Sequence, residues 1–286
     1  MTDTQTAFEE HRRLLEGAAY RILGTRTDAE DVVQEAWIRW STVDPDTVDD
    51  ARAYLVTITS RLALNKLREL KARRETYVGP WLPEPVATAT DDPARAAELA
   101  DEVSMAMLIV LESLTPLERA AFVMTDVFAM KSPEVAEALG RSPASVRQLV
   151  TRARAHLAAR TPRQVVEKSR HRAVIERFLN AALSGDVAEL VAVLSPDVTL
   201  VTDGGGFRRA ALRPIHSSEK VIRWILGVLS DPQVASLKPE IRTLNGEPAV
   251  VAVGPDGVDS VYFVTVEDGR ITAVHSIRNP EKLTAV

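Results

Sequence analysis

Residues 131–157, KSPEVAEALGRSPASVRQLVTRARAHL, constrain this chain more than any other stretch. Ser132-Pro133 opens one short helix and Ser142-Pro143 a second, each a serine cap followed by the proline that suits a first helical position. Gly140 stands between them, where a left-handed residue must turn the chain. Ala136 is small at the crossing, and Leu139, Val146 and Leu149 fill the shared core. The pattern predicts a helix-turn-helix. It leaves Ser145, Arg147, Gln148, Thr151, Arg152 and Arg154 outward on a helix that enters the DNA major groove.

A net charge of −5 over 286 residues excludes a protein that coats nucleic acid through bulk positive charge, so DNA contact must rest on local basic patches. Two exist. Residues 61–74 carry Arg61, Lys66, Arg68, Lys71, Arg73 and Arg74 against Glu69 alone, and residues 141–172 carry nine Lys and Arg side chains against Glu167. The chain has no cysteine, which excludes disulfides, thiolate metal sites and a thiol nucleophile. No apolar run reaches the roughly 20 residues that span a bilayer, and the N-terminus lacks a signal peptide's apolar core, so the expected location is the cytoplasm and no membrane partner is expected.

Apolar residues recur at helical spacing from about 8 to 75: Leu14, Leu15, Ala18, Ala19, Ile22 and Leu23, then Val32, Val33, Ala36, Trp37 and Trp40, then Leu55, Ile58, Leu62 and Leu67. This predicts a bundle of three or four helices, with Asp28 at a helix cap. Residues 76–100 hold Gly79, Pro80, Pro83, Pro85 and Pro93 and read as a linker with one anchoring tryptophan, Trp81. Helices resume at about 97–114 and 116–129. Beyond about 170 the pattern is mixed. His171–Ala182, Ala188–Leu194 and Ser218–Leu229 read as helices, Val198–Thr202, Ala249–Val253, Ser260–Glu267 and Ile271–Ile277 as strands, with a tight turn at Glu267–Arg270. Helices followed by a curled antiparallel sheet predict an α+β cone.

Asp28-Ala29-Glu30-Asp31-Val32-Val33-Gln34-Glu35-Ala36-Trp37 and the helix-turn-helix together resemble the extracytoplasmic-function sigma factors of the sigma-70 family, over roughly residues 8–160. The resemblance implies that Asp31, Gln34, Glu35 and Arg39 dock on core RNA polymerase, at the β′ coiled coil, with the β subunit a further partner. It also implies that Arg61, Asn65, Lys66 and Arg68 face the −10 element while a loop at 42–50 takes a flipped base, and that Arg73 and Arg74 meet phosphate. The helix from Pro143 to His156 would read the −35 element. Three further segments, Trp81-Leu82-Pro83-Glu84-Pro85, Asp203-Gly204-Gly205-Gly206 and Asn279-Pro280-Glu281-Lys282-Leu283, resemble the subgroup carrying a fused SnoaL-like domain of the NTF2-like fold. Trp81, Leu82, Pro83, Asp203, Gly204, Gly205, Asn279, Pro280 and Lys282 are the regulatory contacts this implies, acting in cis. Phe207 departs from the pattern, which has a lysine there.

The expected organisation is therefore multidomain: an all-α domain at 1–75, a linker at 76–100, an all-α helix-turn-helix domain at 101–165, and a cone at 170–286. Related cones include cyclases and isomerases, which makes Asp203, His216, Tyr262 and His275 the candidates for chemistry. Asp203, ahead of three glycines, suits the backbone bonding of a sharp turn better than catalysis, and His275 alternates with Val274 so as to reach the cone interior. No cofactor, metal or catalytic residue is expected. A ligand-sensing or catalytic cone fused to a DNA-binding module is the alternative reading.

Overall fold

The computed structural model describes residues 3–44, 47–87, 104–159 and 167–286, which form two units: residues 1–76 with 107–161, and residues 77–106 with 162–286. Pro45 and Asp46 of the expected base pocket, and Arg160 and Arg163 of the second basic patch, lie outside the described residues.

The first unit is helical throughout. Helices α1 (Asp3–Leu23), α2 (Arg26–Trp40) and α3 (Ala51–Arg74) form the expected bundle around Leu15, Ile22, Val33, Trp40, Leu55 and Leu67. The Trp40 indole N–H donates to the carbonyl of Thr4 at 2.8 Å, satisfying the one polar atom of the largest core side chain. Asp28 does not cap α2. The cap position is Thr25, and its hydroxyl donates to the Asp28 carboxylate at 2.5 Å within the first turn.

Helix α4 (Met105–Glu112) is followed by α5 (Pro116–Phe122), where Thr115 and Glu118 form a reciprocal capping box. The helix expected to reach 129 instead widens into a π turn at Val123–Val127. There Phe128 N–H reaches back to the carbonyl of Val123 at 3.3 Å, which lets Val123, Met124 and Phe128 all enter the core. Helices α6 (Ser132–Leu139) and α7 (Pro143–Ala158) are the helix-turn-helix. Gly140 turns the chain at φ 61°, and Ser142 Oγ accepts from Ser145 N–H at 3.2 Å. Ser132 is not a cap: Lys131 holds that position, its backbone N–H bonded to Glu134 at 2.8 Å.

The helix-turn-helix and the bundle share one apolar cluster, in which Val135, Val146 and Leu149 join Leu55, Ala63 and Leu67. A polar network reinforces it. Arg119, fully buried, donates to the carbonyl of Arg21 at 2.7 Å and to Glu112, while Arg74 donates to the other Glu112 oxygen at 2.7 Å and to the carbonyl of Leu23 at 3.1 Å. The carbonyl end of α1 carries partial negative charge, so two guanidiniums are balanced by one carboxylate and a helix terminus.

The second unit contains a six-stranded sheet in the order β2-β1-β6-β5-β4-β3. Its strands are β1 (Leu194–Asp203), β2 (Ile215–His216), β3 (Lys238–Leu244), β4 (Glu247–Gly254), β5 (Gly257–Glu267) and β6 (Arg270–Ile277); β1 and β6 are parallel and the other pairs antiparallel. Helices α8 (Lys168–Ser184), α9 (Val187–Val193) and α10 (Ser218–Leu229), the last followed by the short α11 (Pro232–Ala235), complete the α+β cone. Phe178, Ile175, Leu190, Val221 and Ile225 from the helices meet Leu200, Val250, Val264 and Val274 from the sheet.

Val274 faces that interior, so strand alternation sends His275 to the opposite face, between Val201 of β1 and Phe263 of β5. The expectation that His275 points into the cone is thereby corrected. Burial pushes its pKa down to about 4 from an ordinary 6.5. The unfolded imidazole takes up a proton below 6.5 that the folded one refuses, so this stability is present above pH 6.5 and is lost as pH falls toward 4. Between pH 7.5 and 5.0 the loss is about 2 kcal/mol, and His275→Leu is expected to remove it, read as hydrogen-exchange protection of the β5 and β6 amides at the two pH values.

Candidate functional site

The expected DNA-facing residues fall into two sets according to what already holds them. On α7, Arg147, Gln148 and Thr151 are exposed, and the Thr151 hydroxyl donates to the carbonyl of Arg147 at 2.8 Å. Arg147 and Gln148 make no side-chain hydrogen bond among the described residues. Ser145 is partly covered near the cap. Arg152 pairs with Glu118 at 3.3 Å, and Arg154 reaches Asp126 through two nitrogens at 2.7 and 3.1 Å, so these two arginines are oriented by α5 and the π turn.

On α3, Arg61, Asn65 and Arg68 lie at four and three spacing on one exposed face, with Arg68 donating to Asn65 at 3.4 Å. The Arg61 guanidinium is occupied. It donates to the carbonyls of Ala138 at 2.6 Å and Glu137 at 2.7 Å, at the carbonyl end of α6, and so is held by the helix-turn-helix itself. Lys66 faces Asp28 at 3.4 Å, Arg73 pairs with Glu69, and Arg74 is tied up in the Glu112 network rather than presented to phosphate.

Helix α2 presents Asp31, Gln34, Glu35 and Arg39 to solvent, Glu35 and Arg39 paired at 3.1 Å. Ile38 lies on the same side and is 54% exposed. An unburied isoleucine inside a polar stripe fits a partner surface better than a solvated face, and its position in the helical pattern is the signal that sequence reading passed over.

The second unit gathers three segments distant in sequence around one carboxylate. Asp203, at the end of β1, is fully buried and accepts four donors: the Tyr77 hydroxyl at 2.5 Å and Gly205 N–H at 3.1 Å on one oxygen, Leu82 N–H at 2.8 Å and Lys282 Nζ at 2.6 Å on the other. Its backbone carbonyl accepts from Arg278 N–H and Asn279 N–H. The Lys282 ammonium, nearly buried, also donates to the carbonyl of Leu82 at 2.5 Å and lies 3.9 Å from the centroid of the Trp81 ring. The ammonium is therefore fixed by a carboxylate, a carbonyl and an aromatic face at once. Asn279 Nδ2 donates to the Tyr77 hydroxyl at 3.0 Å while its carbonyl caps the short turn Pro280–Lys282. Pro83 is buried and Pro280 exposed.

Glycine at 204 and 205 is imposed by contact. A Cβ on Gly204 would lie 2.3 Å from the carbonyl oxygen of Arg208, and one on Gly205 would lie 2.4 Å from the Asn279 amide, at a backbone φ of 60°. Tyr77 completes the cluster, Asn245 holds the same strap further along, and neither was foreseen. Tyr77 is held neutral by burial and by the adjacent carboxylate, and Asn245 clamps the strap through Val86, accepting from its N–H at 3.0 Å and donating to its carbonyl at 2.9 Å. His216 is exposed on β2, its Nδ1 3.2 Å from the Thr199 hydroxyl.

A helix-turn-helix with an exposed basic reader, packed on a bundle with a second basic helix, defines a DNA-binding transcription protein. Known proteins narrow this further. The Sigma-70 region 2 family matches residues 7–73 and the Sigma-70, region 4 family residues 104–157. The ECF RNA polymerase sigma factor SigJ of Mycobacterium tuberculosis is 42% identical over 290 residues, covering 97% of this chain and 92% of the relative. The crystal structure of that sigma factor superposes with a TM-score of 0.79 at 39% identity, covering 98% of each chain. The probable ECF RNA polymerase sigma factor SigI of the same organism is 32% identical over 279 residues, covering 97% and 93%. The chain belongs to the extracytoplasmic-function sigma factor family. Sigma factors of this family bind core RNA polymerase and promoter DNA and direct transcription initiation.

Two stability predictions follow from the cluster. Asp203→Asn or Lys282→Met alone leaves a buried polar group without its partner and is expected to cost about 3–5 kcal/mol, whereas the double variant costs less than the sum; urea unfolding of the four-member cycle measures the difference. Gly205→Ala combines backbone strain with overlap and is expected to cost about 2–4 kcal/mol, against about 1 kcal/mol for Gly140→Ala, where no atom lies within 4 Å; the melting midpoints rank the two.

Proposed function

We propose that α7 reads the −35 element through Arg147 and Gln148, with Ser145, Thr151, Arg152 and Arg154 supporting it at the backbone, while the Arg61, Asn65 and Arg68 face of α3 reads the −10 element. Exposed and uncommitted side chains at the N-terminal half of a second helix are what base readout requires, and this observation carries the assignment. Asp31, Gln34, Glu35 and Ile38 form the surface for core polymerase, at its β′ coiled coil. An acidic helix is repelled by phosphate, which favours a protein partner.

The C-terminal unit acts in cis. The strap 77–87 begins the segment that joins the two promoter readers, and it is fastened to Asp203, Lys282 and Asn245. Fastening the strap puts one end of the segment that links the readers under the control of the C-terminal unit, and this is the route by which that unit acts on promoter recognition. Asp203 has all its acceptor positions engaged by donors of the same unit, which supports a structural and regulatory role over catalysis.

In transcription with purified core polymerase, Arg147→Ala and Gln148→Ala are each expected to lower promoter-specific output by about 5- to 150-fold, equivalent to about 1–3 kcal/mol, without lowering core binding. A chain ending at Arg278 is expected to alter output at unchanged core affinity, because it lacks Lys282. Equal output from the full and shortened chains overturns the regulatory part, and unchanged −35 dependence in both alanine variants overturns the reader.

A further inference from the structure

Arg152 and Arg154 stand one residue either side of Ala153, which is fully buried in the core face of α7. At roughly 100° per residue, the two arginines therefore emerge on opposite flanks of that helix. Both lie in its C-terminal half, beyond Arg147 and Gln148. Each is met by an acid, and one continuous helix carries both acids: Glu118 belongs to the first turn of α5, Asp126 to the π turn that follows it.

The pairing uses the same edge of each guanidinium. Arg154 donates to Asp126 Oδ1 through Nε at 3.1 Å and Nη2 at 2.7 Å, and Arg152 faces Glu118 Oε1 with its Nε at 3.3 Å. The terminal N–H groups that remain make no hydrogen bond among the described residues, and the two side chains are 59% and 62% exposed. Glu118 itself is fixed, since its other oxygen accepts from the Thr115 N–H at 3.1 Å and the Thr115 hydroxyl at 2.8 Å. Burial alone would raise its pKa, but the Thr115 bonds and the charges of Arg152 and His156 more than offset this, so it lies below its ordinary value and the carboxylate is ionised.

Ion pairs as exposed as these contribute little to folding, yet they restrict where a long side chain can point. An arginine held by its Nε edge offers the opposite end of its fork, which suits a phosphate. We propose that Glu118 and Asp126 are positioning residues for promoter binding, aiming Arg152 and Arg154 at phosphates of the two strands that border the major groove. The inference rests on α7 being the −35 reader. A helix in the groove has one strand along each flank, and contacts to phosphate fix its register while the N-terminal half meets the bases. A carboxylate near DNA repels phosphate, so these two acids would weaken binding if they did nothing for their arginines.

The test uses the full chain assembled with core polymerase and reads affinity for a promoter it transcribes, and for point variants of the −35 element, over a range of salt. Arg154→Ala is expected to weaken binding to all −35 sequences alike and to reduce the slope of log affinity against log salt by about 0.9. Asp126→Asn removes a negative charge, yet is expected to weaken binding about three- to tenfold at an unchanged melting midpoint, with a smaller salt slope. Adding Arg154→Ala to it is expected to bring no further loss. Glu118→Gln keeps the capping box, because glutamine serves there as glutamate does, and is expected to act in the same way through Arg152. Tighter or unchanged binding by Asp126→Asn overturns the proposal, as does additive loss in the double variant or a loss from Arg154→Ala confined to particular −35 sequences. Should Glu118→Gln not fold, the Asp126 comparison decides alone. Unchanged −35 dependence in Arg147→Ala and Gln148→Ala would instead remove the reader, an outcome distinct from all of these.

Discussion

The buried ion pair of Lys282 with Asp203 is the interaction on which the C-terminal unit's organisation depends. Taking two charges out of water is unfavourable by several kcal/mol per ion, and their attraction offsets this only when the remaining valences are filled. Here they are filled by atoms from three remote segments: Tyr77 and Leu82 of the strap, Gly205 of the turn after β1, and the terminal turn that carries Lys282. Withdrawing the tail strands the Asp203 carboxylate in the interior, and withdrawing the strap or the glycine turn leaves part of the pair's hydrogen-bonding capacity unfilled. The strap, the glycine turn and the C-terminal tail are therefore coupled energetically, although the strap residues have no regular secondary structure of their own.

The helical unit solves a related problem differently. Its two modules share an apolar cluster, and the polar side chains that cross between them end on backbone carbonyls: Arg61 on Glu137 and Ala138, Lys71 on Leu114 at 2.7 Å. Carbonyls at helix ends have no partner within their own helix, so a long cation from a neighbouring helix satisfies them at little cost. Such contacts can be exchanged for water or phosphate. Arg61 is thus a packing residue in this arrangement, and the proposed −10 contact requires it to leave both carbonyls. Arg74 differs, because its carboxylate partner is itself shared with the fully buried Arg119.

What was legible in the sequence is what local chemistry decides. Gly140 and Ser142-Pro143 fixed the helix-turn-helix, because a left-handed turn and a capped helix start depend on a few consecutive residues. The glycines after Asp203 announced a tight turn for the same reason. Asn245 and Tyr77 were illegible, since each bonds a partner more than 120 residues away. The face of His275 depends on which neighbour the alternation places inside, and periodicity alone leaves that open by one residue. Strand β3 escaped notice because Pro239 interrupts its pattern. A proline is tolerated there because β3 is the last strand in the sheet order, and the Ala87 bridge on its outer edge lies at Leu244, away from Pro239.

Phe207 connects the two parts of the C-terminal unit. The family resemblance places a lysine after the glycines, yet the cluster already has its cation in Lys282, which neutralises Asp203 directly. Phe207 is 60% exposed and lines a wide polar vestibule beside α10 and the β4–β5 turn instead of the cluster. A second cation near Asp203 would have no free carboxylate oxygen to meet, because both oxygens already accept two donors each. Replacing lysine by phenylalanine at this position therefore leaves the buried pair intact, while it takes one positive charge from the vestibule and adds an apolar side chain to it. The vestibule retains Arg208, Arg209 and Arg278 against Asp231, Asp256 and Asp259. Three cations then face three acids, so the vestibule carries no net charge from its lining side chains, and the exposed Phe207 ring is an apolar surface at its rim.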